Sequence, residues 1–345
     1  MLNVPEGVSP PFRHSPVLFR GAVILGLAVV CSVSLSVGVF DLSPSDWVDP
    51  QSDGGRVLYQ LRLPHLLTAL LVGALLGGTG AAAQGLFRNP LADPSLIGVS
   101  AGAALASVTL MVVAGAALEP ALMKLLLPVA AFVGGLLMTV LVVRLSRTFS
   151  GISVTTLLLT GMAVNAIAGA GIGALKYLSD DLALRQASFW LLGNLTSQGW
   201  LPIIVLIVVG FPVLMLLCRE GRELNLLLLG VSQAQLVGVD VQALQRRLVL
   251  LCALGVGCAV AFVGLVGFVG LIVPHLVRLL CGPDNRYLLP HSIIFGALFM
   301  ALADLLSRVL ISPAQLPVGI LTALVGGPFF LLLLTRGRAF GGGRA

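Results

Sequence analysis

The stretch CREGRELNLLLLGVSQAQLVG, residues 218–238, decides how this chain is read. It lies between two long apolar runs and sets Arg219, Glu220, Arg222 and Glu223 almost side by side. A charge held at the centre of a bilayer costs about 3 kcal/mol on insertion scales, so four together do not sit in lipid. The stretch predicts a cytoplasmic loop of two short helices, broken near Gly230 and closed by Gly238. A plain solvated connector would have the same composition. The surrounding residues have to separate the two.

The chain of 345 residues is 58% hydrophobic and 10% charged, with mean hydropathy +1.06. A soluble domain is about one-quarter charged. Apolar runs of the roughly 20 residues needed to cross a bilayer recur along the sequence. The fold class is therefore all-α, a polytopic membrane protein read as one domain over residues 1–345. Spans are expected near 17–40, 66–87, 95–116, 121–144, 152–175, 200–218, 246–266, 269–281, 288–309 and 317–335. The eighth is too short to cross unless the helix before it bends, and the Gly-rich part from Gly255 to Gly270 suggests a break there. The first run resembles a signal peptide, but it is long and lacks a small-residue cleavage site, so it is kept as a span.

With the N-terminus inside, the spans leave Arg56, Arg62, Lys124, Lys176, Arg185 and Arg308 outside and every other basic residue within. That bias supports an even number of spans with both termini cytoplasmic. Trp47, Trp190 and Trp200 then fall near the outer interface, where indole rings anchor. The net charge of +6 follows from this topology and not from nucleic-acid binding. Residues 219–240 become the cytoplasmic loop. Residues 177–199 become an outer loop with a short amphipathic helix carrying Asp180, Asp181 and Arg185.

Gly73, Gly77 and Gly80 offer a small-residue face for close helix packing. Pro64 suits a first helical turn, so the second span should begin there. Residues 84–94, QGLFRNPLADP, form a turn that two prolines keep out of helix. Pro274 kinks or starts the short eighth helix, and His275 beside it is expected to be packed or hydrogen-bonded. Asp304 sits inside the ninth span with Arg308 one turn later, an i,i+4 pair that could hold an acid in the membrane. No GxxxxGK[ST], HExxH or GxSxG occurs, so the sequence supplies neither a P-loop ATPase nor a catalytic set. Cys31, Cys218, Cys252, Cys258 and Cys281 lack CxxC spacing and read as small apolar residues, with no metal site.

Taken in order, the motifs resemble the permease family of type II ABC importers for cobalamin, haem and ferric siderophores. The likeness rests on RLPH at 62–65, QGLFRNPLADPSLIGVSAGA at 84–103, LLLTGMAV at 157–164, LNLLLLGVSQAQLVGVD at 224–240 and FVGLIVPHLVRLLCGPDNRYLLP at 268–290, followed by LADLLSR and LPVGILTALVGGPFF. The resemblance implies a homodimer of ten-helix subunits, with two ATP-binding subunits below and one periplasmic binding protein above, in a bacterial inner membrane. ATP would be used by the partner, with no cofactor bound stably.

By the same resemblance Leu224, Leu229, Gly230, Ala234, Gln235 and Gly238 belong to coupling helices that meet the ATPase. Val231 stands where the family often has an acid. Arg62, His65 and Arg308 fall where members meet the binding protein, His65 replacing an arginine. Asn89, Leu91, Thr155 and Thr156 match a cytoplasmic gate, and Thr160, Asn165 and Gly169 the translocation path. Residues 177–200 resemble haem permeases more than siderophore ones, with Asn194 in place of a serine. Haem, a ferric siderophore and cobalamin stay open as substrates, in that order. A secondary transporter is the alternative class.

Overall fold

The computed structural model describes residues 16–115, 117–148, 151–195, 199–312 and 314–341. Arg13 and Arg344 of the charge bias, and residues 196–198 of the outer run, lie outside the described residues. The helices are α1 (Pro16–Ser36), α2 (Asp53–Phe87), α3 (Val99–Ala114), α4 (Pro120–Leu145), α5 (Val154–Leu178), α6 (Asp181–Leu191) and α7 (Leu201–Arg219). They continue with α8 (Gly221–Leu228), α9 (Val231–Leu236), α10 (Val241–Val263), α11 (Val269–Cys281), α12 (Asn285–Val309) and α13 (Val318–Gly341). Between α4 and α5, β1 (Arg147–Thr148) and β2 (Gly151–Ile152) pair antiparallel over two residues each.

Among the described residues, α1, α2, α4, α5, α7, α10 and α12 are long and apolar enough to cross a membrane. α3, α11 and the Val318–Leu332 part of α13 are shorter apolar helices. These are the ten stretches expected from hydropathy. Their burial sorts them: the most apolar window of α2 is 83% buried and that of α10 is 78% buried, against 17% for α1 and 22% for α4 and α5. α2 and α10 are thus the axis of the bundle, and α1, α4 and α5 present apolar side chains outward.

The centre is tight because α2 has almost no side chain on one face. A Cβ at Gly73 would lie 2.2 Å from the Gly296 carbonyl oxygen, and one at Gly80 would lie 2.0 Å from that of Gly270. Backbone-to-backbone approach of this kind brings α12 and α11 against α2.

Two expectations need correction. The second helix does not start near Pro64 but at Asp53, where the Ser52 hydroxyl accepts the Gly55 N–H at 2.9 Å as a cap. A proline inside a helix lacks a donor and presses on the carbonyl one turn back. Here the turn before it widens into π-helix over Val57–Arg62, with the Leu63 N–H reaching the Leu58 carbonyl, and Pro64 passes without ending the helix. α7 repeats the device at Leu206–Gly210, just ahead of Pro212. Pro274, expected to kink or start the eighth helix, lies within α11, so of the two roles only the start is overturned. The break between α10 and α11 is real: Gly264 (φ 70) ends one helix and Phe268 (φ 67) precedes the other.

Candidate functional site

α8 and α9 form a knuckle at one end of the bundle. The α8 sequence GRELNLLL places Leu224 and Leu227 on the inner face, 0% and 1% exposed, and Ala234 of α9 joins them at 0%. The opposite face holds Leu229 at 66%, Leu236 at 80% and Val237 at 60% exposure. Of the six residues expected to meet an ATPase, Leu229, Gln235 and Gly238 are exposed and Gly230 is half-buried, whereas Leu224 and Ala234 turn into the core. Gly230 (φ 113) and Gly238 (φ 90) make the turns on either side of α9, in backbone regions that side chains resist.

Polar contacts hold the knuckle in place. Arg247 of α10 donates to Glu223 at 2.8 Å and to Glu220 at 3.3 Å. Burial pushes the Glu220 carboxyl up, and the Arg247 charge pulls it partly back. Asn225 donates to Asp284 at 2.6 Å and accepts the Asn285 N–H at 2.8 Å, so α8 is bound to the foot of α12. Asp284 also receives the Arg286 guanidinium at 2.6 Å, and chiefly for that reason its carboxyl is held down at about 2. Asn225, Arg247 and Asp284 are absent from the sequence-based site. Their partners are remote in sequence, and no local pattern marks them.

The residues expected to form a gate lie near the same end. Arg88 (φ 51) terminates α2, and the Asn89 side chain accepts the Leu91 N–H at 2.9 Å, a tight Asx turn. Asn89 is exposed and Leu91 half-buried. At the start of α5, Thr155 is exposed, and Thr156 donates through both its N–H and its hydroxyl to the capping Ser153 at 3.3 and 3.0 Å. No hydrogen bond joins these threonines to Asn89 or Leu91 among the described residues. The two elements meet one step further in, where Asn165 of α5 donates to the Ser95 carbonyl at 3.3 Å and a Cβ at Gly161 would lie 1.8 Å from the Leu96 carbonyl oxygen. Asn165, expected on the translocation path, is thus a pin between α5 and the Ser95 turn. Thr160 is half-buried, and Gly169 faces open space. His275 is 3% exposed and sits edge-on to Phe329 at 6.0 Å between centroids.

Arg62, His65 and Arg308 gather at the opposite end and are engaged within the subunit. Arg62, 8% exposed, donates to the Leu35, Ser36 and Phe40 carbonyls and so caps the C-terminus of α1. The His65 Nε2–H donates to Asp304 at 2.6 Å, and Arg308 donates to the other oxygen of that carboxylate at 3.2 Å. Arg308 also reaches the Ser34 hydroxyl at 2.5 Å. The i,i+4 pair expected from the sequence is present, enlarged to a network across α1, α2 and α12.

Residues 26–336 match the FecCD transport family. The chain belongs to that family. It is 42% identical over 328 residues to the hemin transport system permease protein HmuU of Yersinia pestis, covering 94% of this chain and 98% of the relative. It is 38% identical over 326 residues to the vitamin B12 import system permease protein BtuC of Vibrio vulnificus, covering 94% and 96%. A solved structure described as an inward-facing conformation of a metal-chelate type ABC transporter superposes with TM-score 0.82 at 34% identity, over 93% of this chain and 99% of that one. This FecCD protein is a permease subunit of a type II ABC importer, embedded in the membrane by its apolar helices.

Proposed function

We propose that this FecCD permease carries haem inward across a bacterial inner membrane, driven by separate ATP-binding subunits docked on α8 and α9. The observation that carries the reading is the knuckle itself. Leu229, Leu236 and Val237 form an exposed apolar face outside every span, while Leu224 and Ala234 tie its back to the core. An exposed apolar patch on a rigid support is a partner surface in search of its partner. In this reading the knuckle end is cytoplasmic, as are both termini. The end carrying Arg62, His65 and Arg308 receives one periplasmic binding protein, and two copies of the chain flank a path lined by Thr160, Asn165 and Gly169 of α5. Asn89, Leu91, Thr155 and Thr156 close that path at the cytoplasmic end.

Haem is favoured by the 42% identity to a hemin permease over nearly its whole length and by the likeness of residues 177–200 to haem permeases. A ferric siderophore and cobalamin are the alternatives.

Leu229→Glu tests the docking face. Placing a carboxylate on a two-thirds exposed position leaves the fold intact and should lower ATPase association at least tenfold, as loss of a well-packed apolar anchor does. Association at the unmodified affinity would rule out this face. Gly238→Pro is the poorer probe: φ 90 cannot be reached by proline, and the Gly238 N–H donates to the Gln235 carbonyl at 3.0 Å.

A further inference from the structure

We infer that Gln84 is a positioning residue that joins movement of the α8–α9 knuckle to the loop of residues 88–93, a role that rests on the importer reading above. Gln84 lies in the last turn of α2 and is 1% exposed. Its backbone carbonyl accepts the N–H groups of Arg88 and Asn89, so it closes the helix and launches the loop. Its side chain faces the other way, into α11. Nε2 donates to the Leu271 carbonyl at 3.1 Å, and Oε1 accepts from Arg278 at 3.1 Å. One residue thus holds the root of the loop with its main chain and α11 with its amide.

The next residue brings in α8. A Cβ at Gly85 would lie 2.8 Å from Leu224 Cδ2, so α8 rests directly on the end of α2. α8 also grips the turn after α11 through Asn225, which bonds Asp284 and Asn285. Contacts therefore run in a circuit: α8 to α2 through Leu224 and Gly85, α2 to α11 through Gln84 and Arg278, and α11 through the short turn after Cys281 to the Asp284 cap of α12, which Asn225 ties back to α8. In such a circuit Gln84 is the side-chain link that ties the root of the loop to α11, while Leu224 presses α8 on the same end of α2. With Gln84 removed, α8 could move while the root of the loop lagged behind.

The amide is matched to the task. It must donate to a carbonyl and accept from a guanidinium at once, which glutamine does and glutamate and methionine do not. Arg278 bonds Gln84 Oε1 through Nη2, and its Nε has no hydrogen-bond partner among the described residues, so loss of the Gln84 oxygen leaves this largely buried cation shorter still of acceptors. A merely structural role would be indifferent to how many substrate molecules cross per ATP.

The test uses the assembled complex in liposomes, measuring uptake and ATP hydrolysis in the same vesicles. Gln84→Met, which keeps the volume and removes both bonds, should retain assembly and stimulated hydrolysis yet move roughly 3- to 30-fold fewer molecules per ATP. Gln84→Glu keeps the Arg278 acceptor, loses the Leu271 bond, and should fall between. An unchanged ratio in Gln84→Met overturns the inference, as does a parallel fall of uptake and hydrolysis. If Gln84→Met does not accumulate, Gln84→Glu decides, and an unmodified ratio there overturns it. Failure of the unmodified chain to bind an ATPase would sink the importer coupling itself and this inference with it.

Discussion

Asp284 shows how much one side chain can fix. It caps α12 by accepting the Arg286 N–H at 3.0 Å, takes the Arg286 guanidinium and holds Asn225 of α8. Its folded carboxyl titrates at about 2, below the unfolded aspartate value of ~3.9. A depressed carboxylate contributes stability that is complete above the unfolded value and is lost as pH falls through the folded one. Between about pH 4 and 2 the protein should therefore lose stability that an Asp284→Asn variant does not lose, with the variant, which keeps a capping side chain, weaker at neutral pH by at most about 1 kcal/mol from loss of the largely exposed pair with Arg286. Parallel melting curves for the two proteins across that window would contradict this. Little of this was visible in the sequence, where GPDN reads as an ordinary turn. The same holds for Leu224, whose place in a Leu-rich repeat says nothing of which leucine faces Gly85.

At the scale of elements, the apolar stretches were legible because hydropathy alone sets them, and α11 was placed to the residue. The start of α2 was not. Pro64 is a strong start signal, and nothing local announces a π-helical turn that lets the helix pass through it. The arginines taught a second lesson. Motif position put Arg62 and Arg308 on the binding-protein side, but the carbonyls of α1 that hold Arg62 and the carboxylate that holds Arg308 are set by tertiary packing. Charge reversal there should therefore do two things. Arg62→Glu with Arg308→Glu sets carboxylates against the α1 carbonyls and Asp304. It should lower stability by roughly 3–5 kcal/mol, the usual penalty for breaking a buried pair. It should also weaken binding-protein docking, most at low salt where exposed charges are least screened. An unaltered melting temperature would mean that the network is ornamental, and unaltered docking at low salt would remove both residues from the docking surface.

For the whole molecule, one architecture serves two tasks. An axis of α2 and α10 carries the knuckle at one end and, at the other, the His65–Asp304–Arg308 network with Arg62 beside it, while α5 leaves Gly169 and Gly173 facing open space. The sequence carried this plan far because its motifs are spread over nearly the whole chain, and the FecCD match covers residues 26–336. It carried the substrate less far: the relatives include both a hemin and a vitamin B12 permease at similar identity. A path that must release its cargo has no need of tight ligands, so the spans need record little of what passes. The most direct measurement is ATP hydrolysis by the reconstituted permease–ATPase complex, with its binding protein loaded in turn with haem, a ferric siderophore and cobalamin. Stimulation by the haem-loaded protein alone is the predicted result. Stimulation by the siderophore or cobalamin form, with none by haem, would contradict it.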